Sequence, residues 1–128
     1  MTASTRLLTL CAGVLGFLGV ALGAFGAHGL KATLETHGST ETWKTAVLYH
    51  LIHSVALLAL AGWRDAHAGP SAKVAALWVV GVVLFSGSLY WLALGGPKIL
   101  GPITPLGGAA FLAGWALLTW GAWKGPTA

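Results

Sequence analysis

The fold of this chain is decided near its N-terminus by the stretch LLTLCAGVLGFLGVALGAFGA, residues Leu7–Ala27, which contains no charged side chain. An α-helix rises about 1.5 Å per residue, so roughly 20 apolar residues cross a hydrocarbon core about 30 Å thick. Helix is the expected conformation because lipid offers no hydrogen-bond partners to unpaired backbone groups. We therefore interpret this stretch as a first membrane-spanning helix.

Three further apolar stretches of similar length follow along the chain. The four predicted spans lie at about residues 7–27, 44–64, 74–96 and 105–123. Thr104 as N-cap and Pro105 at the first helical position predict the start of the fourth span. The sequence therefore predicts an all-α fold, an integral membrane four-helix bundle in which residues 1–128 form a single transmembrane domain.

The connection between the first and second spans is the longest in the chain. Leu30 and Leu34 lie at helical spacing and Gly38 follows as a breaker, so we predict a short surface helix between spans 1 and 2. Ser39 or Thr40 is then expected to cap the second span. Tryptophans near the span ends are expected at the headgroup level, which aromatic side chains prefer. These tryptophans are Trp43, Trp63, Trp120 and Trp123.

The charge content of the chain agrees with a membrane location. Only 8% of the residues are charged and 56% are hydrophobic, whereas soluble domains average about 25% charged residues. The net charge of +4 is scattered without a basic patch, so the expected partner is the lipid bilayer and not nucleic acid. Both termini are predicted to be cytoplasmic, because their side carries slightly more Lys and Arg. That side has Arg6, Arg64, Lys73 and Lys124, against Lys31, Lys44 and Lys98 on the other.

The first apolar stretch also has a second interpretation. Arg6 followed by an apolar run with small residues is typical of a cleaved signal peptide as well. The run is long for such a peptide, and its small residues recur along the whole length rather than at one cleavage site. We therefore favour a retained span, with cleavage as the alternative.

Glycine, with 19 copies, forms two faces at helical spacing. The first span carries Gly16, Gly19, Gly23 and Gly26, and the fourth carries Gly107, Gly114 and Gly121. Small residues let helix backbones approach closely, which is a main source of packing in lipid. Each face therefore predicts a tight helix contact, either inside the bundle or between copies in a homo-oligomer.

A few polar side chains lie within or beside the predicted spans and form a candidate polar cluster. His50 and His53 lie three residues apart on the second span. Ser86 and Tyr90 are predicted to face the same side of the third span. The complete cluster comprises His28, Tyr49, His50, His53, Ser86, Ser88 and Tyr90. An ionisable residue at this depth indicates a functional site by default.

Three interpretations of this cluster are open. Neutral histidines could hydrogen-bond to a neighbouring helix and hold the bundle in register. Imidazole could also serve a small-molecule or proton site, because its charge changes near neutral pH. His50 and His53 with His28 could bind a metal, although His28 lies at the end of its span and no carboxylate is near. We expect neither a metal nor a cofactor.

No catalytic motif is recognisable in the sequence. Glu35, Glu41 and Asp65 all lie in predicted loops, so they do not form an acid–base carboxylate pair within the spans. No nucleophile elbow or phosphate-binding glycine loop is present. We therefore expect a protein that is not an enzyme and has no catalytic residues.

Four ordered stretches carry a resemblance to a known family. They are GAFGAHGL (Gly23–Leu30), WKTAVLYHLIH (Trp43–His53), LFSGSLYWLAL (Leu84–Leu94) and TPLGGAAFLAGW (Thr104–Trp115). Together they resemble the small membrane proteins of domain-of-unknown-function family 423, over nearly the whole chain. The resemblance implies a multi-pass, four-helix protein of the bacterial cytoplasmic (inner) membrane and implies no activity. His28 and His53 match the family motif, whereas family members often carry Gln at the position of His50.

These observations lead to two main hypotheses for function. The first is a non-enzymatic accessory subunit that packs against itself or in a larger membrane complex, because almost no mass lies outside the spans. The second is a small carrier or ligand-binding protein with a mid-membrane polar pocket around His53, Ser86 and Tyr90. A metal or redox protein is a third alternative.

Overall fold

The computed structural model describes residues 1–64 and 71–125, and every regular element in these residues is helical. In chain order the elements are α1 (Ala3–Ala27), α2 (Lys31–Thr36), α3 (Thr40–Arg64), α4 (Ser71–Gly81), a π-helical segment (Val82–Ser86), α5 (Gly87–Ala93), a 3-10 turn (Lys98–Leu100) and α6 (Ile103–Lys124). The third span is continuous from α4 through the π-helical segment to α5. The predicted all-α fold class is confirmed.

Four helices in the described residues are long and apolar enough to cross a membrane, as the sequence predicts. Their outward surfaces carry large apolar side chains such as Phe17, Val55 and Leu112, as lipid-facing helices require. α1 begins at Ala3, ahead of the predicted span, because the Thr2 hydroxyl accepts a hydrogen bond from the Thr5 N–H and caps the helix.

The predicted start of the fourth span is wrong. α6 begins at Ile103, with Pro102 before it, and not at Pro105 behind a Thr104 cap. The Thr104 hydroxyl is directed towards the third span, where it lies 2.6 Å from the Ser88 hydroxyl. Pro105 is tolerated inside the first turn because the first N–H groups of a helix have no intrahelical partner to lose.

The predicted surface helix is confirmed as α2. Its Leu34 is buried with Trp43 and Ala93, and Gly38 ends the segment with a φ of +62°, a left-handed conformation that favours glycine. The hydroxyl of Ser39, a candidate cap of α3, donates a hydrogen bond to the Ala93 carbonyl at the end of α5. The surface helix is therefore fastened to the bundle by one apolar and one polar contact.

The bundle has an inner and an outer pair of helices. In the most apolar 18 residues of α1, and of the span that contains α6, only 17% is buried inside the bundle. The corresponding share is 39% in α3 and in the third span. α1 packs mainly on α3, α6 packs mainly on the third span, and α3 packs on the third span. Across the described residues α3 and α6 share no extended backbone contact. Side chains must therefore close the gap between α3 and α6.

The glycine face of α1 lies against α3. A Cβ added at Gly26 would lie 2.3 Å from Nε1 of Trp43, so the indole occupies the space that glycine leaves. This Nε1–H donates to the Leu22 carbonyl over 2.9 Å. Trp43 is therefore buried between α1 and α3, and not turned towards lipid headgroups as its place at the end of a span predicted.

The other glycines of that face follow the same contact. A Cβ at Gly19 would lie 2.6 Å from Cδ2 of Leu51, and one at Gly23 would lie 3.3 Å from Cγ1 of Val47. At Gly16 the closest atom is Cβ of Ser54, 4.0 Å away, so the contact with α3 continues there through a small side chain.

The glycines of α6 receive the third span. A Cβ at Gly107 would lie 2.3 Å from the backbone nitrogen of Phe85, and one at Gly114 would lie 2.5 Å from Nε1 of Trp78. Gly121 is half-buried near the other end of α6. Gly107 is the tightest point of the α6 contact because it meets backbone, which cannot rotate away as a side chain can.

The π-helical segment keeps the buried residues of the third span on one side. Trp78, Val82, Ser86 and Tyr90 recur every four residues, a spacing that drifts about 40° per step round an α-helix. In the segment the Gly87 N–H donates to the Val82 carbonyl five residues back, so this turn holds one more residue than an α-helical turn. The wider turn reduces the drift, and both halves of the span can therefore face the bundle.

Candidate functional site

The two histidines of α3 contact different helices. His50 contacts α5 and His53 contacts α6. Their three-residue spacing separates them by about 60° round an α-helix, enough to direct the rings towards different neighbours. The candidate polar cluster is thus divided into a His50 group (His50 and Tyr90) and a His53 group (His53, Tyr49, Trp78, Phe111 and Trp115).

In the His50 group, Nδ1 of His50 lies 2.8 Å from the Tyr90 hydroxyl, within hydrogen-bonding distance. Its Nε2 is buried and has no hydrogen-bond partner in the described residues. The imidazole is buried beside Gly19. His50 therefore joins α3 to α5 and has one nitrogen that is neither paired nor exposed.

The two serines of the third span make separate contacts. The Ser86 hydroxyl is buried and donates to the Ala46 carbonyl in α3 over 2.8 Å. Since Tyr90 also contacts α3, Ser86 and Tyr90 face the same helix, as their spacing predicts. The Ser88 hydroxyl faces α6, where it pairs with Thr104. Each serine therefore links two helices through a hydrogen bond.

In the His53 group, both ring nitrogens of His53 have partners. Nδ1 lies 2.8 Å from the Tyr49 carbonyl, which can only accept, so Nδ1 carries the proton. Nε2 accepts from the indole N–H of Trp115 over 3.0 Å. An indole N–H can only donate, so Nε2 must be unprotonated. The contacts therefore define one neutral tautomer of His53.

Aromatic rings enclose the His53 imidazole. Phe111 stacks on it with ring centroids 3.7 Å apart and an angle of 13°. Trp78 and Trp115 both meet it edge-on with centroids 6.0 Å away, and their own centroids are 4.5 Å apart. Tyr49 lies above Phe111 at 6.1 Å. These rings close the gap between α3 and α6 without close approach of the two backbones.

The remaining member of the predicted cluster lies apart. His28 follows the last residue of α1 and is exposed, whereas His50 and His53 are buried within the bundle. No three His, Cys, Asp or Glu side chains in residues 1–64 and 71–125 come together in a way that could hold a metal ion. The nitrogens of His53 are moreover both engaged in hydrogen bonds, and a metal on either would have to displace one.

Three participants were not identified from the sequence as site residues: Trp78, Phe111 and Trp115. Nε1 of Trp78 is buried without a hydrogen-bond partner in the described residues. The signal that could have found Trp115 is a tryptophan in the middle of a predicted span, where an aromatic belt does not explain it. A buried indole at that depth needs an acceptor or a close-packed neighbour. His53 is that acceptor for Trp115, and Gly114 is that neighbour for Trp78.

The fold and the site together define a class of protein: a multi-pass helical membrane protein whose intramembrane polar groups bond within the bundle, to one another or to backbone carbonyls. Comparison with family models places it more narrowly. Residues 22–108 match the model described as "Protein of unknown function (DUF423)". The chain belongs to this family, as the resemblance of its four quoted stretches implies.

Several relatives are similar over most of their length. The UPF0382 membrane protein YwdK of Bacillus subtilis is 44% identical over 103 residues, covering 79% of this chain and 83% of the relative. The UPF0382 inner membrane protein YgdD of Escherichia coli K12 is 41% identical over 122 residues, covering 93% and 91%. A UPF0382 membrane protein of Schizosaccharomyces pombe is 39% identical over 113 residues, covering 84% and 93%. No solved structure matches the chain.

Proposed function

We propose that this chain is a non-enzymatic membrane subunit that acts by packing its outer helix surfaces against a second copy or within a larger membrane complex. The observation that carries this proposal is how the polar groups are used. Hydroxyls and imidazoles in the spans bond to one another or to backbone carbonyls, and large apolar side chains face outwards. Helix faces are therefore the main surface available for interaction within the bilayer.

The contact between copies would use outer surfaces and not the glycine faces. Five glycines of these faces already receive α3 or the third span and leave no room for a further helix: Gly19, Gly23, Gly26, Gly107 and Gly114. The outer face of α1 offers Phe17, 76% exposed, beside Gly13, where an added Cβ would meet no atom within 4 Å. We place the proposed subunit contact on this face.

Native mass spectrometry of the protein extracted directly into lipid nanodiscs tests the proposal. We expect a defined multiple of 13.1 kDa or a stable complex with another membrane protein. Phe17→Ala should shift this species towards the monomer, while Val55→Ala, an outward-facing change on α3, should leave it unchanged. A monodisperse monomer without any partner would overturn the proposal.

A second candidate function is ligand binding from the bilayer, and one observation favours it. The side chain between His53 and the surrounding lipid is Trp115, which is 41% exposed. The predicted pocket also included Ser86 and Tyr90, but their hydroxyls point to Ala46 and His50. We therefore propose a site at His53 alone. Saturable binding of a lipid-soluble probe, after subtraction of its partition into protein-free nanodiscs, tests this function.

We also propose that the four spans act as a single transmembrane domain with both termini in the cytoplasm. The small excess of Lys and Arg on that side supports the orientation. Lys124 lies over the ring of Trp120 at 4.9 Å, an arrangement suited to an interface where cation and aromatic ring both prefer to lie. Labelling of single cysteines introduced at each terminus of a Cys11→Ser variant, with a reagent that does not cross membranes, tests it.

A further inference from the structure

The His53 imidazole presents one acceptor to whatever stands beside it. The Tyr49 carbonyl fixes the proton on Nδ1, which leaves Nε2 as an acceptor in the neutral ring. In a bilayer an acceptor without a donor is costly, because no water is present to replace the lost hydrogen bond. His53 therefore favours any planar donor that can reach Nε2.

Trp115 fills that position from the lipid side. Its indole gives the N–H to Nε2 over 3.0 Å and packs against Trp78 at a tilt of 44°, yet 41% of the residue is exposed. The interior side of the imidazole is occupied by Phe111 and the edge of Trp78. Access to Nε2 from the bilayer is thus controlled by the side chain of Trp115.

The backbone arrangement allows this ring to leave without moving a helix. α6 is an outer helix and shares no extended backbone contact with α3 in the described residues, so the rings between the two helices form the closure. A change of the Trp115 rotamer would move its indole outwards into lipid. The imidazole would then be left facing the bilayer with a free acceptor.

We propose that Trp115 is an internal occupant of a binding position on His53, and that a lipid-soluble phenol or quinol takes this position from the bilayer. Such a molecule shares the features of the indole that are used here: a planar apolar ring with one hydrogen-bond donor. Its O–H donates to Nε2 and its ring packs where the indole stood. This inference rests on the second candidate function and names the chemistry of the ligand.

The same geometry excludes related compounds. A phenol ether has the ring but no O–H, so it leaves Nε2 without a donor. An anion is disfavoured because the rings around His53 carry no cationic partner for it. Stronger binding of a phenol than of its ether is therefore the expected property of this site.

The test uses 4-pentylphenol and its methyl ether, 4-pentylanisole, with the full-length protein in lipid nanodiscs. Binding is measured by equilibrium dialysis of labelled probe, corrected for partition into empty nanodiscs. We expect saturable binding of the phenol and about two- to twelvefold weaker binding of the anisole, since one net hydrogen bond is worth about 0.5–1.5 kcal/mol.

Variants separate the role of the indole from that of the imidazole. Trp115→Ala removes the internal donor and should tighten phenol binding about three- to tenfold, because the probe no longer displaces a hydrogen bond. Trp123→Ala, the same change at an exposed position of α6, should have no effect. Adding His53→Phe to Trp115→Ala keeps an aromatic ring but removes the acceptor, and should abolish the preference for phenol over anisole.

Two kinds of failure are distinguishable. Saturable binding of phenol and anisole with equal affinity would overturn this inference, and so would phenol binding that neither Trp115→Ala nor His53→Phe changes. In both cases the chain would still bind a ligand, but at another site. No saturable binding of either probe to any variant would overturn the second candidate function together with the inference. Trp115→Phe, which keeps an aromatic ring and loses the N–H with the five-membered ring, replaces Trp115→Ala if that variant does not fold, and should also strengthen phenol binding.

Discussion

Gly107 offers the sharpest test of how the bundle is held together. A Cβ at this position would lie 2.3 Å from the backbone nitrogen of Phe85 and 2.8 Å from the carbonyl carbon of Leu84. Ordinary Cβ contacts begin at 3.4 Å, so a Gly107→Ala change requires α6 and the π-helical segment to separate by about 1 Å (3.4 − 2.3 = 1.1). The neighbouring atoms are backbone, and they can yield only if the helix moves.

The expected change in the free energy of unfolding follows from two opposing effects. Overpacking of a tight contact costs about 1–3 kcal/mol, and alanine gains up to about 1 kcal/mol of helix propensity over glycine. Gly108 is the matched control, because its Cβ would lie 3.8 Å from Cδ2 of Phe85, an ordinary contact. Both variants gain the same propensity, so the difference between them isolates packing. We expect Gly107→Ala to be less stable than Gly108→Ala by about 2 kcal/mol.

The assay is equilibrium unfolding in mixed micelles titrated with a denaturing detergent, followed by circular dichroism or tryptophan emission. A difference of about 2 kcal/mol changes the unfolding equilibrium constant about thirtyfold, which such a titration resolves. Equal stability of the two alanine variants would refute the reasoning, since it would mean that α6 does not approach the third span closely at Gly107.

Three further outcomes are expected in the same unfolding assay. Trp43→Phe removes the donor to the Leu22 carbonyl together with the five-membered ring that fills the space at Gly26, and should cost more than the about 0.6 kcal/mol typical of such a bond in lipid. A double-mutant cycle of His50→Leu and Tyr90→Phe should give a coupling energy of about 0.6 kcal/mol; additive effects would contradict the hydrogen bond. Gly38→Ala should cost about 1 kcal/mol, because φ is +62° there while no atom obstructs the added Cβ.

Much of the fold could be predicted because hydrophobic length alone identifies membrane spans. The short surface helix was also predictable, since Leu34 and Gly38 give a spacing and a stop. The start of α6 could not be predicted. Thr104 and Pro105 fit two arrangements equally well: a cap followed by the first helical residue, or two residues inside the first turn whose threonine bonds to another helix. Capping residues report a local preference, and here a tertiary contact overrides it.

The sequence predicts that the glycine faces are packed, but not which residues pack against them. The spacing of Gly19 and Gly26 indicates that something packs there, but only the structure identifies it as Leu51 and Trp43 of α3. Trp43 shows the limit of this prediction. A tryptophan at the end of a span usually lies at the headgroup level, but Trp43 packs inside the bundle because Gly26 on α1 leaves space for its indole. Sequence spacing along one helix cannot reveal such complementarity between two.

The candidate polar residues were found because polar side chains are conspicuous in apolar spans. Which of these residues contact one another could not be predicted, since this depends on how α3 is rotated relative to α5 and α6. His50 and Tyr90 come together, while His53 is directed to Trp115, a residue without charge or metal-binding chemistry to draw attention to it. The π-helical segment, which sets the direction of Tyr90, has no recognisable sequence signal.

The dependence of α1 on α3 has a consequence for how the chain is made. α1 is synthesised before α3, and its glycine face finds most of its contacts on this later helix, which ends at Arg64. Until that helix is inserted, the notch at Gly26 stays open to lipid, because the indole that fills it belongs to the later segment. Among the four spans, the α1–α3 hairpin is thus the earliest unit that can assemble during translation, and α6 can dock only after the third span has been inserted.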